Sequence, residues 1–285
     1  MLGEAEIARG STRTKSEERF MKIAVVEWRD GLEPDGAEWQ SITEALCQSS
    51  PDLLVTNEIP FGDWLPVQEN YDAKAATAWI ELHERGLQAL TRLRLKAIVS
   101  SRPVQGMNRL YNEAFSLEAG EYRRLHRKHY LPNEAGWYEA KWFCPDVDGF
   151  RIHTVAGIKL GCMLCTDLMF NEHARLLGRQ GAHLIAVPRA TGQNRLNWET
   201  AARMAALAGR CYVASSNRVG ASKSAAPEFG GHGFVVSPVD LAIESTDAAH
   251  QILSVSIDPK IADQERLNYP GNVEDIAIRG VSKNA

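Results

Sequence analysis

The chain has 285 residues, 44% hydrophobic and 24% charged, a globular composition long enough for a full core. A net charge of -4 with no basic block gives no reason to expect nucleic acid or an anionic membrane as a partner. Five cysteines argue against a disulfide framework and for a reducing, cytoplasmic setting, and no apolar run reaches the roughly 18 residues of a membrane span.

Residues 1–21 carry both charge signs and no apolar centre. They read as a poorly ordered lead-in rather than a secretory signal, with 22–285 as a single domain. "KIAVVEW" (22–28) and "DLLVTNE" (52–58) read as buried strands around a helix at 36–50. A helix over 73–94 places Trp79, Leu82, Gly86, Leu90 and Leu93 on one face. "KAIVSS" (96–101) is a third strand, and "RLYNEAFSLEAGEYRRLHRKHY" a hairpin turning at "EAGE". "FRIHTVAGIKLGCMLC" (150–165) is a second hairpin. Helices at 171–181 and 197–210 alternate with strands at 182–188 and 211–217, before closing antiparallel strands and a last short helix. About a dozen strands, many of them continuous apolar runs, point to two sheets covered by helices.

The C-x-x-C of Cys162 and Cys165 admits several readings. Zinc wants four ligands, but Cys47, Cys144 and Cys211 are scattered and no H-x-x-x-H completes a set. A disulfide is geometrically poor, because residues three apart on a strand point to opposite faces. Cys162 is most simply a small buried apolar residue. Cys165, taken as the last residue of its strand, sits where a nucleophile can be exposed at a sheet edge, and the bland and catalytic readings stand level. Glu58 ends an apolar strand and suits a base raised by burial, although a solvated loop glutamate is the more ordinary reading. Lys128 closes a hairpin strand, where it is either part of a solvated face or a fixed positive charge for an oxyanion. Glu139, inside the aromatic "GWYEAKWF", must be bonded or paired if buried.

Taken together, "DLLVTNEIPF", "YRRLHRKHYLP" and "GIKLGCMLCTDLMFNEHARLLGRQGAHLIAVP" resemble the three ordered motifs of the carbon–nitrogen hydrolase, or nitrilase, superfamily. "CYVASSNRVG" and "GHGFVVSPVD" resemble its downstream strands. The resemblance implies a four-layer α-β-β-α sandwich of two mixed sheets, a Glu58–Lys128–Cys165 triad, and Glu139 holding Lys128. It implies Lys128 and the Thr166 N–H at the oxyanion, and substrate contacts from Trp142, Tyr138, Arg189 and Ala190. No metal or cofactor is implied, and the chain is expected to form at least a homodimer. The implied reaction is hydrolysis of a small amide or N-carbamoyl compound through a thioester, with the carbamoylputrescine amidase branch most similar. A nitrilase is the alternative enzyme, but Cys165-Thr166-Asp167 stands where nitrilases show Cys-Trp-Glu. Thr166, Asn171 and Arg189 depart from the usual pattern. Arg189 favours an acidic substrate if it lines the pocket, and is a solvated rim residue otherwise. A non-catalytic protein kept for its contacts would not require all three triad residues.

Overall fold

The computed structural model describes residues 20–221 and 227–276. The first half runs β1 (Met21–Val26), α1 (Ala37–Ser49), β2 (Leu53–Val55), α2 (Ala73–Arg92), β3 (Ala97–Gln105), β4 (Leu110–Glu118) and β5 (Glu121–Arg127). After a one-turn α3 (Glu139–Trp142) come β6 (Ile152–Val155), β7 (Ile158–Cys162), α4 (Asn171–Arg179), β8 (Leu184–Arg189), α5 (Arg195–Gly209) and β9 (Tyr212–Asn217). The chain continues through β10 (Val219–Ala221), β11 (Glu228–Gly230), β12 (Phe234–Val236), β13 (Ile243–Ser245), β14 (Ile252–Ile257) and α6 (Pro259–Glu265). Met21 opens β1 one residue ahead of the expected start; the lead-in over 1–19 lies outside the described residues.

Two six-stranded sheets result, ordered β14-β1-β2-β3-β4-β5 and β13-β12-β9-β8-β7-β6, with β10 and β11 as a separate pair. Each has a parallel centre, β1-β2-β3 in one and β7-β8-β9 in the other, and antiparallel edges. The strands read as unbroken apolar runs because both faces are covered. Along β1, Ile23 and Val25 enter the core between the sheets, while Ala24 and Val26 pack under α1 and α2. Along β8, Leu184 and Ala186 face the other sheet, while Ile185 and Val187 pack under α4 and α5. This is the expected four-layer α-β-β-α sandwich. Among the described residues no helix is long and apolar enough to cross a membrane.

Two local devices position the site. Asp72 caps α2 by accepting from the N–H groups of Lys74 (2.8 Å) and Ala75 (3.1 Å). Further along α2, a β-carbon at Gly86 would stand 2.3 Å from the Phe61 ring, so only glycine lets the loop after β2 lie against the helix. Strands β2, β3, β5, β7, β8 and β9 all deliver their C-terminal ends to one edge of the sandwich, where open α/β sheets bind ligands.

Candidate active site

Glu58, Lys128 and Cys165 meet at that edge, each just beyond a strand. Glu58 lies three residues past the end of β2, Lys128 one past β5, and Cys165 three past β7. The expectation that Glu58 and Cys165 terminate their strands is therefore corrected. The ladders stop at Val55 and Cys162, and the apolar run continues as a buried turn. Cys165 opens a 3-10 turn over Cys165–Met169 with φ 49, and Ile59, next to Glu58, has φ 44. Left-handed backbone at non-glycine residues costs about 1–3 kcal/mol and persists only where surroundings enforce it. Ile59 is held by its N–H donating to Ser101 Oγ (2.8 Å) and by Arg218 donating to its carbonyl.

The three polar groups and Glu139 are buried. Lys128 Nζ donates to Glu58 Oε1 (2.9 Å) and to both oxygens of Glu139 (2.8 and 2.6 Å). Asn112 Nδ2 also donates to Glu58 Oε1 (2.7 Å), while Glu58 Oε2 has no hydrogen-bond partner among the described residues. Burial alone would lower Lys128, but the Glu139 and Glu58 carboxylates hold it well above the ordinary lysine range. Burial pushes Glu139 up to about 8 against the pull of Lys128. Burial, reinforced by Glu58, pushes the Cys165 thiol far above its ordinary value, with Lys128 opposing. The thiol is directed at the Ala190 carbonyl (3.8 Å). Cys162 and Cys165 are both free thiols, and Cys162 lies in the core between the sheets, so they do not act as a pair.

A cavity of about 270 Å³ opens over Cys165. Thr166, Glu139 and Ala190 line it beside the cysteine, as do the apolar side chains of Trp137, Trp198 and Met169. Exposed Glu134 also lines it, and among the described residues no lysine or arginine does. The N–H groups of Cys165 and Thr166 open the 3-10 turn and so have no acceptor within it.

Three expected substrate contacts lie elsewhere. Arg189 is neither pocket wall nor solvated rim. Strand alternation sends its side chain to the same face as Ile185 and Val187, under α5, where it is 1% exposed. Its guanidinium donates to Ser215 Oγ (2.6 Å), Thr191 Oγ1 (3.3 Å) and the His232 carbonyl (2.7 Å). Burial lowers it to about 10. Trp142 is turned into an aromatic cluster, its indole N–H donating to Gln68 O (2.7 Å) and its ring against Tyr71. Tyr138 is half-buried off the cavity, its backbone N–H donating to Pro66 O.

Asn112 and Asp167 carry structural roles that motif reading did not assign. Asp167 Oδ2 accepts from the Leu164 N–H (3.0 Å) and bonds His126 Nε2 (2.8 Å). Its Oδ1 accepts from the N–H groups of His129 (3.2 Å) and Tyr130 (3.1 Å). One carboxylate thus ties the backbone before Cys165 to the backbone after Lys128. Burial works against its ionisation, but the His126 hydrogen bond and charge hold Asp167 below the usual carboxylate range. A polar pair, Asn112-Glu113, inside the strand "LYNEAF" was the available signal for Asn112.

A buried ammonium between two carboxylates, next to a thiol at a strained turn in a cleft, is a hydrolase-type arrangement. The carbon-nitrogen hydrolase family model matches residues 64–264, and the chain belongs to that family. It is 28% identical over 209 residues to the chloroplastic omega-amidase of Arabidopsis thaliana, covering 70% of this chain and 54% of that protein. It is 27% identical over 167 residues to the N-carbamoylputrescine amidase of Solanum lycopersicum, covering 53% and 56%. The chain thus spans about half the length of these curated relatives. A carbon-nitrogen hydrolase from Helicobacter pylori shares the fold with a TM-score of 0.79 at 22% identity, over 90% of this chain and 96% of the other. A nitrilase-superfamily amidase from Nesterenkonia does so with a TM-score of 0.71 at 20% identity, over 86% and 93%.

Proposed function

We propose that this chain hydrolyses the carbon–nitrogen bond of a small amide or N-carbamoyl amine, releasing ammonia through a thioester on Cys165. The observation that carries this reading is the Lys128 ammonium, bonded at once to Glu58 and Glu139 beside the buried thiol. Asn112 and Lys128 both occupy Glu58 Oε1, which leaves Oε2 as the oxygen available to take a proton. Because burial keeps the Cys165 thiol protonated at rest, its proton moves to Glu58 as sulfur attacks the carbonyl carbon. The oxyanion that forms is met by the Lys128 ammonium and the Thr166 N–H. Glu58 then passes the proton to the departing nitrogen, and the C–N bond breaks to leave an acyl thioester. Water attacks that thioester while Glu58 removes its proton; the acid leaves and the thiol is restored.

The walls bear on the substrate. With Glu134 on the wall and no lysine or arginine among the described lining residues, a neutral or positively charged amide is favoured over an anionic one. The acidic substrate once suggested by Arg189 loses its support, since that guanidinium is turned away. Nothing in the cavity favours a nitrile, and the curated relatives named above are amidases. Self-association, expected from the resemblance, would use the helical face where Leu176 of α4 and Met204 of α5 are exposed.

Acyl transfer to hydroxylamine tests the thioester. The parent should form a hydroxamate from a turned-over amide and Cys165→Ala none. Hydroxamate from the folded alanine variant would overturn the mechanism.

A further inference from the structure

Two carboxyl groups, Glu58 and Glu139, share one ammonium, Lys128, and burial holds Glu139 up at about 8, so at neutral pH the cluster has no positive charge to spare. A thiolate or oxyanion formed beside it in a low-dielectric interior is negative charge that this cluster alone does not offset. A second buried cation, the Arg189 guanidinium, backs the cavity wall: it bonds Thr191 Oγ1 (3.3 Å) and lies over the Trp198 ring (5.2 Å), and both residues line the cavity. Arg189 closes β8, and its carbonyl accepts the N–H of Glu58 (3.0 Å). The next carbonyl along, that of Ala190, accepts the thiol of Cys165.

The guanidinium itself bonds neutral oxygens, those of Ser215, Thr191 and His232. The rings of Phe234 and Trp198 cover it, at 4.7 and 5.2 Å. Two carboxylates approach from neighbouring elements, but His232 engages both. Glu27 accepts the His232 N–H (2.6 Å), and Glu199 bonds its ring Nε2 (3.0 Å). Of the acids nearby, Cys165 and Glu58 are those whose anionic forms the guanidinium favours. A buried cation without a bonded carboxylate is expensive, and such groups concentrate at functional sites.

We propose that Arg189 is a positioning residue for charge: its buried guanidinium supplies positive charge beyond that of the Glu58–Lys128–Glu139 cluster and thereby eases ionisation of Cys165. This rests on Cys165 being the nucleophile. It gives Arg189 a part in the reaction without contact with substrate, and makes residue 189 a control on the working pH range.

The sign follows from charge. A cation favours the deprotonated form of each nearby acid, so its removal displaces thiol ionisation to higher pH. The test is the rate of Cys165 carboxamidomethylation by iodoacetamide against pH, read by peptide mass spectrometry so that Cys47 and Cys144 are counted separately. Circular dichroism confirms folding of each variant. In Arg189→Gln the rise in rate should move up by about one pH unit or more, making the rate at pH 7 about tenfold lower. Arg189→Lys, which keeps the charge but loses the planar fork, should stay within about threefold of the parent. A purely structural role would change melting temperature but leave the profile of the folded variants in place. A folded glutamine variant with the parental profile overturns the proposal, as does a lysine variant displaced as far as the glutamine one. If the glutamine variant does not fold, Arg189→Met takes its place, an upward displacement supporting the proposal and a parental profile overturning it. The readout needs no substrate, so a wrong substrate class leaves it intact. Absence of any Cys165 alkylation in the parent would instead remove the nucleophile reading on which it rests.

Discussion

Replacing Lys128 with methionine would remove the one cation bonded to both buried carboxylates while keeping the length of the side chain. Its Nζ makes three hydrogen bonds of 2.6–2.9 Å, all to ionisable oxygens shielded from water. Removing one partner of such an arrangement leaves uncompensated buried charge and costs about 3–5 kcal/mol. Glu139, pushed up to about 8 even with Lys128 present, would rise further without it. The folded variant would then retain a proton that the unfolded chain has lost. In the parent the same loss already runs from the ordinary carboxylate range up to about pH 8, so the deficit relative to the parent should stay level from pH 5 to pH 7 and grow above pH 8. Urea unfolding of parent and variant at pH 5, 7 and 9 reads this directly. Adding Glu139→Gln to Lys128→Met should recover a large part of the stability, because the surplus charge goes with it, but should not recover turnover. A Lys128→Met protein within about 1 kcal/mol of the parent at every pH would refute the charge reasoning, since intact buried pairs are costlier than that to break.

Three other outcomes follow from particular contacts. Cys162→Ala should keep turnover, because its sulfur belongs to the core between the sheets; complete loss of activity in a folded variant would revive a paired-cysteine role. Gly86→Ala should lower stability by about 1–2 kcal/mol despite alanine's better helix propensity, since the new methyl meets the Phe61 ring; a rise in melting temperature would contradict the packing. His83 is fully buried and burial lowers it to about 3. The unfolded chain takes up that proton below about pH 6.5 and the folded protein does not. Stability linked to His83 is therefore present above pH 6.5, and about 2 kcal/mol of it is lost on going down to pH 5. Unfolding free energies of parent and His83→Gln at pH 7 and pH 5 should differ by that amount, and parallel curves would refute it.

The architecture was legible because its signals are long-range and redundant. Continuous apolar strands alternate with amphipathic helices, and either face of β1 or β8 is buried whichever sheet it joins. Glu58 and Cys165 could be singled out because each is a reactive group at the close of a largely apolar run, whereas Lys128 closes a charged hairpin strand and stood out through the motif resemblance. The runs overstated the strands, however. Residues such as Thr56, Asn57, Met163 and Leu164 are as buried as a strand core although they form turns, and composition does not separate the two. Side-chain direction was the larger obstacle. Whether Arg189 faces the cavity or α5 depends on strand phase, and a shift of one residue reverses it. Trp142 had equal reason to line the pocket until the Gln68 carbonyl claimed its indole. Trp198, which does line the cavity, enters from α5, and nothing local in "NWETAARM" marks it as a neighbour of Cys165. Asp167 is of the same kind, since its four backbone and histidine partners come from separate parts of the chain.

The central claim is that the Cys165 sulfur, served by Glu58 and Lys128, breaks a carbon–nitrogen bond. Ammonia release from a panel of neutral, cationic and anionic small amides, N-carbamoyl amines and nitriles, with parent and Cys165→Ala side by side, tests it most directly. Release by the parent from neutral or cationic amides or carbamoyl amines, and none by the folded alanine variant, is the result expected. Equal release by the two proteins would contradict it.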